Sequence, residues 1–267
     1  MHTLSSAPTA PTATAAPAGM NGRRMLGAYL QEIRAECLRY LRSPGFVLPT
    51  MLFPAVFYLM FAVVIGKSNS PDAPRFLLAA YSTFGVMGPG LFGFGMSLAL
   101  ERGNGLLTLK RALPMPPAAY LLAKMVMAML MALMIAALLQ LLAVFVAHVP
   151  LQAGQVLHLT LVCVIGALPF CALGLLLGTL IKGEAAPAVI NMLYLPMAFL
   201  SGLWFPLSML PALIRNLAPI WPSHHLNMLA LGAVGFDTGS AWPHVLWLLV
   251  FTVAVTALAA WRLRRHG

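Results

Sequence analysis

The chain has 267 residues, 61% of them apolar and only 8% charged, with a mean hydropathy of +0.89. A soluble domain is about 25% charged, so six acids and sixteen bases cannot cover a water-facing surface of this length. The composition excludes a soluble globular enzyme and puts the chain in a bilayer. The formal charge of +10 suggests nucleic acid, a reading that the placement of the charges removes below.

Residues 1–19, MHTLSSAPTAPTATAAPAG, are mostly Ala, Pro, Thr and Ser, without a basic start or an apolar run. A secretory signal needs both, so a disordered tail is expected. Residues 20–45 have helical periodicity. Met25, Tyr29, Ile33 and Cys37 recur every four positions, joined by Leu26, Leu30 and Leu41. Arg23, Arg24, Arg34, Arg39 and Arg42, with Glu32 and Glu36, take the remaining face. The pattern predicts a basic amphipathic helix along a membrane surface, ended by Pro44-Gly45.

A bilayer-crossing helix needs about 20 apolar residues. Residues 46–66 and 76–100 supply two spans. Residues 125–181 contain no acid or base, and the run from His148 to Gly154 divides this stretch into spans near 120–147 and 156–181. Residues 185–205 make a fifth span and 243–261 a sixth, followed by a short basic tail, 263–267. Between these last two, 206–241 are less apolar and broken by Pro206, Pro211, Pro219 and Pro222. Pro54, Pro89, Pro169 and Pro196 lie inside spans, where kinks or breaks are tolerated. The expected fold class is an all-α integral membrane protein with six transmembrane helices.

An even number of spans puts both termini on one side. That side collects Arg23, Arg24, Arg34, Arg39, Arg42, Arg102, Lys110, Arg111, Lys124, Lys182, Arg262, Arg264 and Arg265, against Lys67, Arg75 and Arg215 opposite. The positive-inside rule makes it cytosolic, and the same bias explains the high charge without nucleic acid. Cys163 and Cys171 would lie about 12 Å apart on one helix, too far for a disulfide.

Several motifs carry no chemistry. Gly66-Lys67-Ser68 ends like a phosphate-binding loop, but Phe61 stands where its first glycine belongs. His148, His158, His224, His225 and His244 fall near the outer ends of the spans, without acids or cysteines in zinc spacing, so no metal site is expected. Span centres lack ionisable residues, which usually mark ion pathways. The energy for any transport therefore enters from outside this chain. Gly174–Gly178, GLLLG, and the glycine-dense GVMGPGLFGFG of the second span suit close helix contacts.

The stretch ERGNGLLTLKRALPMPPAAYLLAK, residues 101–124, gathers Glu101, Arg102, Lys110, Arg111 and Lys124 between two uncharged spans. It turns at Gly103-Asn104-Gly105, runs LLTLKR as a short basic helix, and breaks at Pro114-Met115-Pro116-Pro117. This stretch resembles the cytosolic loop of ABC-2-type transporter permeases, in which an E-R-x-x-G-T/L-L stretch precedes a basic helix, a proline break and Y-L-L-x-K. A second stretch, SGLWFPLSMLPALIRNLAPIWPSHHLNMLALGAVG, residues 201–235, is similar to the family's segment after the fifth span.

The resemblance implies a permease subunit in a bacterial plasma (inner) membrane, usually an exporter of an amphipathic or lipophilic compound. Its fold would add a cytosolic coupling helix in loop 101–119 and short re-entrant helices in the outer region 206–241, beginning at Phe205 and Pro206. The chain would hold no cofactor and no catalytic residue; ATP and Mg would sit on a separate ATP-binding subunit, present in two copies beside a second permease. Glu101, Arg102, Gly105, Leu106, Leu107, Leu109 and Lys110 would carry the docking, with Arg34 and Arg39 of the N-terminal helix. Tyr58, Tyr81, Asn191 and Tyr194 would line a substrate path between the first, second and fifth spans. One departure is Gly103-Asn104, where many relatives are acidic, and it predicts a looser turn. On residues alone, a non-transporting accessory protein and a membrane enzyme using His224 and His225 stay open.

Overall fold

The computed structural model describes residues 22–65, 71–106, 117–181 and 183–266. Among these, every regular element is helical. Six helices are long and apolar enough to cross a membrane: Pro44–Val63, Ala73–Gly103, Ala119–Phe145, Ala153–Leu180, Gly183–Leu200 and Trp242–Leu263. They are spans 1 to 6 below. Before them lies the N-terminal helix Gly22–Leu41. Between spans 5 and 6 the chain makes short helices at Leu207–Met209, Ala212–Leu217 and Ala218–Ile220, then the return helix Pro222–Ala233.

Proline and glycine set several boundaries. Pro44 starts span 1 rather than merely stopping the helix before it, since an N1 proline has no N–H to lose. Span 5 stops at Leu200, short of the expected 205, because Gly202 takes φ +77°, a left-handed turn that favours glycine. Pro54, Pro169 and Pro196 stay within continuous helices. Pro89 does not: there span 2 changes from α-helix to a π-helix over Pro89–Met96, then returns to α-helix at Ser97–Gly103.

That π-helix lies against span 4 with almost no side chain between the two backbones. A Cβ on Gly174 would sit 2.3 Å from the Gly90 carbonyl oxygen. One on Gly95 would sit 2.8 Å from the Gly174 backbone, and one on Gly178 2.9 Å from the Gly95 carbonyl. The glycine-dense stretches of spans 2 and 4 are therefore each other's partners, as close backbone approach requires. Spans 2, 3 and 4 form the centre, with Phe84, Leu91, Ile135, Leu139 and Phe170 fully buried. Span 1 and span 5 flank span 2 through aromatic contacts centred on Phe84, whose ring lies 4.9 Å from Tyr194, 5.7 Å from Phe53 and 6.2 Å from Trp204.

Candidate functional site

The face of the N-terminal helix that packs on the body of the protein is not its leucine face. Leu26, Leu30, Leu38 and Leu41 are exposed, while Glu36 and Tyr40 are its most buried residues. Glu36 was expected on the polar, outward face. It lies inside because cations from two elements meet it there.

The central cation is Lys124, one turn into span 3 and fully buried. An ammonium has three N–H donors, and all three are used. They go to Glu36 Oε1 at 2.7 Å, Ser97 Oγ at 2.7 Å and Glu101 Oε1 at 3.2 Å. Arg39 Nη2 reaches the same two carboxylates, at 2.7 Å to Glu36 and 2.9 Å to Glu101. The second oxygen of Glu101 accepts from the Tyr120 hydroxyl. Two acids and two bases thus close a neutral cluster joining the N-terminal helix, the end of span 2 and the start of span 3.

The π-helix supplies the cluster's inner edge. The Gly93 carbonyl accepts from the Tyr40 hydroxyl and from Ser97 Oγ at 2.7 Å. Such acceptors are what a local switch from α to π geometry makes available. Burial works against the charge of Arg39, yet the Glu36 and Glu101 carboxylates beside it raise its pKa above the ordinary arginine value. Burial pushes the Tyr40 phenol up as well, so it stays a donor.

The other residues singled out in the sequence divide clearly. Glu101, expected to face a partner, turns inward and is only 6% exposed. Arg102 donates to the Gly178 carbonyl at 3.0 Å, tying the loop's first foot to the end of span 4. Gly105, at φ +71°, makes the turn, and Leu106 beyond it is exposed. Leu107, Leu109 and Lys110 lie outside the described residues. Arg34 is exposed on the N-terminal helix.

Of the supposed path residues, Tyr58, Tyr81 and Tyr194 are buried between spans 1, 2 and 5, and Asn191 is exposed on span 5. Tyr194 donates to the Phe84 carbonyl at 3.0 Å. Phe205 is exposed, and Pro206 caps the short helix Leu207–Met209.

At the opposite end of the spans three histidines meet. His225 Nε2 lies 2.9 Å from the Pro219 carbonyl, which can only accept, so Nε2 carries the proton. Its Nδ1 then accepts from His244 Nδ1, 2.8 Å away, and its ring stacks on Trp247. Among the described residues, no group of three His, Cys, Asp or Glu has metal-holding geometry.

Sequence reasoning missed Glu36, Tyr40, Ser97 and Tyr120 and treated Lys124 as a cytosolic surface charge. One signal was readable: Tyr29, Ile33, Glu36 and Tyr40 recur at helical spacing on one stripe.

The profile of the family described as ABC-2 type transporter matches residues 29–234. YvfS of Bacillus subtilis (strain 168), which carries the name of a transport permease, is 28% identical over 235 residues, covering 87% of this chain and 95% of its own length. The match takes in the N-terminal helix from Tyr29, the ion cluster, the loop and the return helix. The chain belongs to the ABC-2 type transporter family and is a multi-pass transmembrane transporter subunit.

Proposed function

We propose that this permease exports an amphipathic or lipophilic compound, driven by a separate ATP-binding subunit that docks on the loop after span 2. Both termini would be cytosolic in a bacterial inner membrane. Two permease copies would work with two ATPases holding ATP and Mg. The reading rests on one observation above all: both feet of the loop are clamped to each other and to the N-terminal helix by Lys124, Glu36 and Glu101. A loop held only by flexible connections would absorb a push, whereas this one passes it to spans 2 and 3, and through Arg102 to span 4.

Glu101 then acts as a positioning residue, and contact would fall to the exposed Leu106 and Arg34, with Leu107, Leu109 and Lys110 of the same loop. ATP binding would favour one of two span arrangements because the ATPase binds the loop differently in each. The cargo would move along the face of spans 1 and 5, where Asn191 and Met192 stand exposed and a second permease copy would close the path. Tyr58, Tyr81 and Tyr194 lie behind that face and would respond to its opening. Short helices between spans 5 and 6 would dip into the outer leaflet. Leu226 of the return helix supports this by packing against Gly166, midway along span 4.

The test is co-purification with the cognate ATPase and vesicle export. Leu106→Asp combined with Leu109→Asp should leave insertion intact, strip the ATPase and stop export. Retained ATPase with normal export would overturn the docking site.

A further inference from the structure

Span 6 is the least enclosed of the spans, with 11% of its apolar stretch buried against 78% for span 2. On one side it leaves a groove of about 440 Å³ against span 4 and the return helix. Its walls include Leu161, Ile165 and Pro169 of span 4, Leu229 of the return helix, and Leu249 and Val253 of span 6. We propose that this groove holds one acyl chain of a membrane phospholipid, as a fixed part of the fold rather than as cargo.

Length argues for that occupant. From His158 to Pro169 the groove runs about 16 Å along span 4 at 1.5 Å per residue. That is about half of the roughly 30 Å hydrocarbon layer, hence one leaflet. It begins near the end of span 4 that follows the His148–Gln152 turn and stops at mid-depth. Polarity argues the same way. Its polar side chains are His158, at the membrane-surface end, and Thr252, whose hydroxyl is already given to the Leu248 carbonyl at 2.6 Å. A polar cargo finds no partner inside.

The groove is also blind. Beyond Pro169, spans 4 and 6 approach span 3 and the loop end of span 2 in a closed apolar cluster containing Cys171, Leu175 and Ala259. A chain can enter sideways from the bilayer but cannot pass through. The return helix cannot fill the space itself, because its Leu226 is already seated against Gly166. An empty groove would forfeit the dispersion contacts of its lining, and the bilayer supplies chains along its open side.

The test uses the full-length protein in nanodiscs of dioleoyl phosphatidylcholine, exchanged into detergent and weighed by native mass spectrometry. The wild type should retain one phospholipid per protomer. Ile165→Trp and Leu249→Trp, which fill the groove, should lose it. Leu133→Trp, on the exposed side of span 3, should keep it. Should the tryptophan variants not fold, melting of the wild type decides: adding phosphatidylcholine to delipidated protein should raise the midpoint.

Retention by the groove variants equal to Leu133→Trp overturns the proposal, as does an absence of both retained lipid and a melting shift in the wild type. Dissociation of a dimer by Ile165→Trp, with lipid still bound, would assign the groove to a second copy and overturn it too. Lipid retention needs neither an ATPase nor transport, so either proposal can fail while the other stands.

Discussion

Each end of the span bundle carries a buried polar cluster, and the two are built on opposite principles. At the loop end, four full charges cancel, and the ammonium of Lys124 has every donor engaged. At the other end, the imidazoles of His225 and His244 join the return helix to span 6, and the ring nitrogen Nδ1 of the neighbouring His224 is buried without a hydrogen-bond partner among the described residues. A saturated ionic cluster is costly to break because each missing partner strands a charge in a dry site. A chain of neutral rings is weaker, and it responds to protons. Under the proposed ATPase docking, the difference would suit one end to transmitting force and the other to yielding.

The largest test of that contrast is Lys124→Met, which leaves the buried Glu36 and Glu101 carboxylates to share the single, partly exposed guanidinium of Arg39. It should cost about 3–5 kcal/mol, read as a lowered melting point of the detergent-solubilised protein. Adding Glu36→Gln alone to the same chain should recover most of the loss, because Arg39 and Glu101 then remain as a balanced pair. No recovery would mean that packing, not charge balance, sets the cost. His225→Ala, which removes two neutral hydrogen bonds, should cost about 1–2 kcal/mol.

Between the two ends runs the glycine seam, and it sets an intermediate scale. Gly174→Leu drives a side chain into the Gly90 carbonyl and should cost about 1–3 kcal/mol or more. Leu258→Ala, on an exposed part of span 6, should stay within about 0.5 kcal/mol. Equal effects would show that spans 2 and 4 are not the rigid pair.

Acid gives the smallest and most selective effect. Burial first, then the neighbouring rings of His225 and His244, lower the His224 pKa to about 4; burial also lowers that of His225. Both groups bind fewer protons folded than unfolded. The stability they support is therefore complete above about pH 6.5, the ordinary imidazole value, and is lost as pH falls from there toward 4. Amide exchange should quicken across the return helix over this window, with the N-terminal helix as internal reference. A parallel rise in both would remove the distinction between the ends.

The six spans were legible because length and missing charge are read directly from the residues. The glycine stretches were legible as close-contact surfaces, but periodicity cannot say which surface meets which, and only the fold pairs Gly95 with Gly174. The ion cluster was hidden for a similar reason. Glu36, Glu101 and Lys124 are separated by 65 and 23 positions, and each looks like a solvated charge at the end of an apolar segment. Glu101 was found but given the wrong direction, since a motif supplies identity and order, not the side on which a carboxylate finds its cation. The part of the loop from Leu107 to Pro116 lies outside the described residues.

Chain order gives the ion cluster a consequence in time. Glu36 is synthesised first, Glu101 next and Lys124 last. When the third span enters the membrane, its ammonium arrives where both carboxylates are already waiting, so it need not linger unneutralised in hydrocarbon. A permuted protein that made Lys124 first would have the same contacts once assembled and a far harder birth.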